Sequence, residues 1–561
     1  MARRILIIGG VATGPKSAAR ARRRDPDAEI TVIERGSLLS YAGCGMPFYI
    51  EGVIEALPEL LCTARGLLRD VDYFKSVKDF DVLCSTEAIG INRDSKTVTV
   101  KELATDRRYD IPYDKLVLAT GAIPMVPRME GIDFEGVHRL YDPLDARDIR
   151  EELESGVEKV AIIGGGLIGM EVCGAFAARG CEVTVVEMMD RLVPALLDED
   201  MALLLENHLK KRGVRILKGS RAERLVEDGS GRVAGVVTAG GERVDAEIVV
   251  VAIGVRPNVD LAREAGLEIG ETGAVKVNEF LQTSDPDIYA GGDCVENICM
   301  ITGRKVYIPL GSTANKHGRV IGDNITDGRT QFPGITMSTA FKVLNYNVGT
   351  TGLNSEEARK QGYDIVTAVV PKRESAHYYP GTQPIIIKLL ADRETSKILG
   401  AQVIGQGEGI KRIDVVASVL KFGGSVKDLA DLDLSYAPPF STAIDPVAHA
   451  ANIIRNKIGG LACGIPSPEL KEKIDGGGDF VLLDVRSHEE VEERPFGDPR
   501  VVHIPLDEAR TRVHELPRDR EIIAFCKTSV RAYEIQRYLN ENGFTDVKFL
   551  DGSLDAWPYE L

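Results

Sequence analysis

The 561 residues contain no C-x-x-C pair and no two His/Cys pairs at zinc spacing, so neither a dithiol redox motif nor a metal site is expected. Long apolar runs are also missing, and nothing approaches the roughly 18–20 residues that cross a bilayer. The start, MARRILIIGG, runs directly into a strand and a glycine turn, leaving no room for a signal peptide. Positive charge is in deficit, with 69 Lys and Arg against 85 Asp and Glu and a net charge of −16. That balance opposes general attraction to nucleic acid or to an anionic membrane. The nine cysteines are odd in number and scattered from Cys44 to Cys526, which fits reduced thiols better than a disulfide framework. The expectation is a cytoplasmic protein with no nucleic acid, membrane or metal partner.

Glycine is plentiful, at 57 residues, and its placement is informative. The strand ILIIGG leads into a turn with Gly9, Gly10, Ala12 and Gly14, then the helix KSAARARRR, then the strand EITVIE ending in Glu34 and Arg35. Such a unit brings backbone amides and a helix N-terminus to a pyrophosphate, and the strand-end carboxylate accepts ribose hydroxyls. The unit recurs at KVAIIGGGLIGMEVCGAFAARGCEVTVVE, with Gly164, Gly166, Gly169 and Glu187. Two nucleotides are implied.

Further segments punctuate the chain in order: KLVLATGAIP with Thr120 and Gly121, IVVVAIGVRP with Gly254, and TSDPDIYAGGDC with Asp293. This ordered set resembles the pyridine nucleotide-disulfide oxidoreductases over about residues 1–455. The resemblance implies two Rossmann-like α/β domains, one for FAD (1–110 plus 246–325) and one for NAD(P)H (111–245), then an α+β dimerisation domain (326–455). It also implies that Asp293 holds the flavin ribityl chain and that the enzyme is a homodimer. Glu187 favours NADH by repelling the 2′-phosphate of NADPH, although Arg191 nearby leaves NADPH possible.

Cys44 lies in SYAGCGMPFYI, and the position five residues on, where a partner thiol would stand, is Tyr49. A single thiolate attacks a disulfide or persulfide and is released from the mixed disulfide by two electrons, or it cycles through sulfenic acid. Gly43 and Gly45 are expected to leave the sulfur open, and a helix starting there to lower its pKa. The segments GGVATG, SYAGCG, AHYYPG and LSYAPPF resemble coenzyme A-disulfide reductases and the related persulfide and polysulfide reductases. That resemblance implies coenzyme A contacts at Lys16, Arg20, Arg23, Ser40 and Lys78. It also implies that Tyr378 and Tyr436 reach across a dimer interface toward the cysteine. Independently, Lys16, Arg20 and Arg23 share one helical face, a basic stripe suited to phosphates. A water-forming NADH oxidase and a flavin-containing sulfur sensor or carrier are the alternative functions; the oxidases' usual His after the first turn is absent from ATGPKSAA.

After the Gly/Pro-containing junction NKIGGLACGIPSPEL, short apolar strands again alternate with helices, the pattern of a small α/β domain. DVR, a strand-end cysteine and DGSLDAW resemble a rhodanese domain over about 465–561. Cys526 and Arg531 are its expected sulfur-carrying pair, with Lys527 and Ser529 standing where the common loop has Arg and Gly. Tethering this domain to the reductase would raise the effective concentration of one sulfur site at the other.

Overall fold

The computed structural model describes residues 2–560, which fall into two compact units. The first unit takes the chain to Val186 and adds Ser220–Ile335. Strand β1 (Arg4–Ile8) is apolar because it is central, and the glycine turn after it enters helix α1 (Thr13–Arg24) and strand β2 (Glu29–Ile33). Their parallel sheet runs in the order Ile288–Ala290, Lys115–Leu118, β1, β2, Asp81–Leu83. The active-site segment continues into helix α2 (Met46–Glu51). In the second nucleotide fold, strand β3 (Lys159–Ile163), helix α3 (Leu167–Ala178) and strand β4 (Glu182–Val186) repeat the pattern, and β3 lies between β4 and Ile248–Val251.

Two of the expected boundaries move by one strand. Lys115–Leu118, placed in the NAD(P)H domain from sequence, pairs with β1 in the first sheet. Ile248–Val251, placed in the FAD domain, pairs with β3 in the second. Both segments are apolar strands followed by a Gly-Pro turn, so sequence pattern alone assigns neither to a sheet. Their continuations, Ala122–Pro124 and Val255–Pro257, pair antiparallel as the crossover between the folds. Helix α4 (Gly311–Asn324) closes on α1. A Cβ on Gly318 would stand 2.7 Å from the Thr13 carbonyl oxygen, so glycine permits this close crossing.

The second unit holds Glu187–Gly219 and the chain from Thr336 onward. An antiparallel five-stranded sheet has strand β5 (Ile365–Arg373) at one edge, and helix α5 (Pro446–Ile458) packs against it. A second, parallel sheet follows in the order Gly464–Ile465, Val547–Leu550, β6 (Glu521–Phe525), Phe480–Asp484, Val501–His503. Apolar clusters cover both of its faces, and helix α6 (Val530–Glu541) follows β6. Lys388 is buried between Asp198 and Asp200, at 2.8 and 2.7 Å. These contacts hold Asp198 down at about 2 despite its burial. Each charge is compensated, as burial requires. Among the described residues no helix is long and apolar enough to cross a membrane.

Candidate functional site

The first glycine turn is shaped by contacts that no side chain survives. Gly9 has φ +115°, and a Cβ there would lie 2.1 Å from the Ala119 carbonyl oxygen; one on Gly14 would lie 1.9 Å from that of Gly9. Ala12 provides no side-chain cap to α1, and no acidic residue occupies the helix's first turn. Its orphan amides are therefore left for an anion. The Glu34 carboxylate is fixed at the end of β2 by the amides of Gly10 (2.6 Å) and Gly36 (2.7 Å), with lone pairs remaining for ribose hydroxyls. Arg35 is exposed and lies 3.8 Å from Glu87. The Ser40 amide donates to the Gly10 carbonyl at 2.9 Å, tying the next loop to the turn.

The second turn has the same architecture. Gly164 has φ +109° and approaches Ala252, Gly169 approaches Gly164, and a Cβ on Gly166 would project into open space at the N-terminus of α3. A nucleotide's pyrophosphate fits the space that Gly166 leaves. Thr120 and Gly121 are held against Asn258, with the Thr120 hydroxyl donating to the Asn258 carbonyl at 2.6 Å, and the Gly254 carbonyl accepts from the Met125 amide. In the second unit, Glu187 accepts a bond from the Met189 amide at 2.7 Å. Arg191 is committed to Glu356 at 2.5 Å.

Cys44 sits exposed on a single 3₁₀ turn, Gly43–Gly45, immediately before α2. Its thiol is pushed up, first by partial burial and then by the carboxyl groups of Glu171 and Asp293. This corrects the expected lowering. The following helix has only six residues and starts after the cysteine, and the charged groups that act on the sulfur are negative. Gly45 also acts differently from expectation: a Cβ there would meet Leu60 at 2.4 Å, so its bareness serves packing, while Gly43 has only ordinary contacts. Tyr49 is buried beneath the Arg150 guanidinium, 4.5 Å from the ring centroid.

Sequence reasoning missed Glu171. It is the only charged residue in the otherwise apolar helix α3, a detectable signal, and burial raises its carboxyl to about 7. Helix α2 packs against α3, so Cys44, Glu171 and Asp293 share one electrostatic neighbourhood within the first unit. The Asp293 carboxyl is itself raised by burial, opposed by the Leu310 backbone amide.

The basic stripe of α1 is only partly available. Arg20 is paired to buried Asp323 at 2.5 Å and so ties α1 to α4, which corrects its expected role as a free phosphate ligand. Lys16 and Arg23 are exposed. Lys78 ends the helix Val71–Lys78 with its ammonium over the Tyr73 ring. In the second unit Tyr378 and Tyr436 are brought together, exposed, and the Tyr436 phenol is pushed up by its hydrogen bond to Tyr378. His377, also missed from sequence, stands edge-on to Tyr378 at 5.3 Å. Of the remaining cysteines, Cys173, Cys294 and Cys299 are buried, while Cys463 is exposed.

Cys526 is buried at the end of β6, and its amide donates to the Ser553 hydroxyl at 3.1 Å. Arg531 bonds the Glu490 carboxylate through two bonds of 2.6 and 2.8 Å, and its guanidinium is raised first by that pair and further by the Cys526 side chain near it. Ser529 takes the left-handed conformation, φ +74°, at the position where the common loop has Gly, and its hydroxyl donates to the Leu550 carbonyl at 2.8 Å.

With this geometry in place, known proteins give concordant matches. The profile of the pyridine nucleotide-disulphide oxidoreductases matches residues 3–318, that of their dimerisation domain 338–448, and that of the rhodanese-like domain 467–559. A NAD-dependent persulfide reductase structure from A. fulgidus is 44% identical, covering 99% of this chain and 100% of that one, with a TM-score of 0.94. A NAD(P)H coenzyme A polysulfide/persulfide reductase of Pyrococcus horikoshii is 38% identical over 81% of this chain and 99% of its own length. A Methanocaldococcus jannaschii NADH oxidase is 35% identical over 81% of this chain and 99% of its own. The chain therefore belongs to the pyridine nucleotide-disulphide oxidoreductase family.

Proposed function

We propose that this chain is an FAD- and NADH-dependent reductase of persulfides, polysulfides and coenzyme A disulfide, acting as a homodimer, with its rhodanese-like domain supplying sulfane sulfur. The observation that carries the reading is Cys44: a solitary exposed thiol with a buried tyrosine where a resolving thiol would stand. Such a cysteine, with no resolving thiol beside it, is suited to a cycle that runs through a bond to the substrate's own sulfur.

The Cys44 thiolate attacks the inner sulfur of R–S–SH; the new bond is Sγ–S–R, and the broken S–S bond releases HS⁻. Two electrons then cleave the mixed disulfide to RS⁻ and the Cys44 thiolate. The overall balance is R–S–SH + NADH + H⁺ → R–SH + H₂S + NAD⁺. FAD, for which the Gly9–Gly14 turn, Glu34 and Asp293 form a fitting cradle, supplies the two-electron relay from NADH. Tyr378 and Tyr436 offer phenols that donate to the departing thiolate across the dimer interface. Exposed Lys16 and Arg23, with Ser40 and Lys78, are the proposed contacts for coenzyme A. Arg191's engagement with Glu356 supports NADH over NADPH.

The NADH oxidase reading stands second, on the likeness to the Methanocaldococcus jannaschii protein. Anaerobic NADH consumption separates the two: a rate that depends on added polysulfide or coenzyme A persulfide is expected. Consumption that requires oxygen and ignores both sulfur substrates would replace this reading with the oxidase.

A further inference from the structure

A buried ion pair joins the dimerisation domain to the turn that supports Cys526. Lys457, in the last turn of α5, donates through Nζ to Asp551 Oδ2 at 2.5 Å and to the Thr367 carbonyl on β5 at 2.8 Å. Both side chains are almost wholly buried, at 8% and 2% exposure. Gly464 closes over the pair; a Cβ there would meet the Asp551 carboxylate at 2.6 Å and Nζ at 2.7 Å. A buried carboxylate of this kind depends on its cation and its hydrogen bonds.

Asp551 starts the turn that cradles the sulfur-carrying loop. Gly552 follows with φ +74° and approaches β5 so closely that a Cβ would stand 2.9 Å from Val369. Ser553, also left-handed at φ +47°, accepts the Cys526 amide, and its hydroxyl lies 3.9 Å from Cys526 Sγ. The next two amides, of Leu554 and Asp555, donate to the carbonyls of Cys526 and Lys527 at 3.2 and 2.9 Å. A single residue, Gly552, therefore separates the carboxylate that Lys457 grips from the hydroxyl that touches the Cys526 backbone. Gly552 takes the left-handed conformation freely, but Ser553 does not hold it by its own preference.

We propose that Lys457 is a positioning residue for Cys526: by fixing Asp551 it sets the 551–555 turn, so the rhodanese-like domain transfers sulfur fully only when seated on the dimerisation sheet. This rests on the reading of Cys526 as the sulfane-sulfur carrier. The junction between the domains then works as a clamp on the 551–555 turn.

The test uses the full-length, FAD-loaded chain and measures sulfur transfer from thiosulfate to cyanide as thiocyanate, together with the pH profile of Cys526 alkylation read by mass spectrometry. Lys457→Met should lower transfer by at least tenfold and displace the alkylation profile, while NADH-coupled reduction of preformed coenzyme A persulfide stays within twofold of the parent. Lys457→Arg, which restores a donor cation, should recover part of the transfer. Because Lys457→Met alone leaves Asp551 uncompensated, the double variant Lys457→Met with Asp551→Leu is the deciding one. It removes the buried charge yet also removes the clamp, so transfer should remain low. Parent-like transfer in the double variant, or an unchanged rate and profile in Lys457→Met, overturns the proposal. Thiocyanate formation that survives Cys526→Ser would instead overturn the reading of Cys526, a separate outcome.

Discussion

Cys44 stands exposed on one 3₁₀ turn with two carboxyl groups as its charged neighbours, whereas Cys526 is buried at a strand end beside a guanidinium. The first thiol is reachable but electrostatically discouraged from ionising. The second has a guanidinium nearby and the Ser553 hydroxyl 3.9 Å from its sulfur, and is enclosed. The difference teaches where each site gets its reactivity. Cys526 is enclosed with a cation nearby in the fold, while the surroundings of Cys44 raise its thiol, so on the proposed reading its activation has to come from what binds beside it.

The sharpest break in the comparison comes from removing either sulfur. In Cys44→Ser, NADH-coupled reduction of persulfide should fall by more than about 100-fold, because the attacking atom is gone. FAD content and thiosulfate-dependent thiocyanate formation should remain. Cys526→Ser should instead depress reduction that draws on thiosulfate or polysulfide as a rhodanese donor, with preformed coenzyme A persulfide still reduced. Parallel losses on both substrates in Cys526→Ser would mean the appended domain acts structurally and the two cysteines are not separate stations.

A second break tests the built-in cation. Arg531→Met removes the cation near Cys526 and leaves Glu490 without the partner that holds its carboxyl at about 2. Thiocyanate formation should drop roughly ten- to a hundredfold, the size expected for one charge-assisted contact of about 1.5–3 kcal/mol. Assays at full donor saturation distinguish weaker donor binding from slower transfer, and an unaltered rate would remove Arg531 from the site.

Most of the fold, and the place of Cys526 at a strand end, were legible because glycine turns, strand-end acids and strand-end thiols are local patterns. What escaped depends on tertiary approach. Arg20 reads as part of a basic stripe until buried Asp323 is seen opposite it. Glu171 reads as one polar residue in an apolar helix until α2 packs beside it. Strands Lys115–Leu118 and Ile248–Val251 are near-identical in pattern, so only pairing assigns them to their sheets. The Lys457–Asp551 pair joins residues 94 apart in sequence, with no periodicity to announce it.

Glu171 offers a finer test of the exposed thiol. Its carboxyl ionises only near pH 7, so its repulsion of the Cys44 thiolate operates above that pH and vanishes below it. In Glu171→Gln the thiol should therefore ionise more readily, and Cys44 alkylation at pH 8 should quicken a few-fold, since each pKa unit is a factor of ten in thiolate where the thiol predominates. At pH 5.5 the two proteins should react alike, because the parent's Glu171 is then neutral. A variant that reacts faster by the same factor at both pH values would show that altered access, not charge, controls Cys44.

The smallest expected effect concerns Ser529, which sits in the left-handed region where the common loop carries Gly. A side chain in that conformation costs about 1–2 kcal/mol, which Ser529→Gly would relieve. The same change frees the unfolded chain, costing about 0.4–1 kcal/mol, and deletes the hydroxyl bond to the Leu550 carbonyl, worth about 0.5–1.5 kcal/mol. The three contributions nearly cancel, so thermal unfolding of Ser529→Gly should stay within a few degrees of the parent. Ser529→Ala keeps the strain and loses the bond, and should be less stable than the glycine variant. The loss is limited because the Leu550 carbonyl also accepts from the Ser553 hydroxyl, at 3.3 Å. The order parent ≈ glycine > alanine, read by calorimetry on the full chain, is the expected result. An alanine variant at least as stable as glycine would mean that the Cys526 loop relaxes out of the left-handed conformation when the hydroxyl is removed, so that the enclosure of this sulfur is maintained by the Ser529 bond itself.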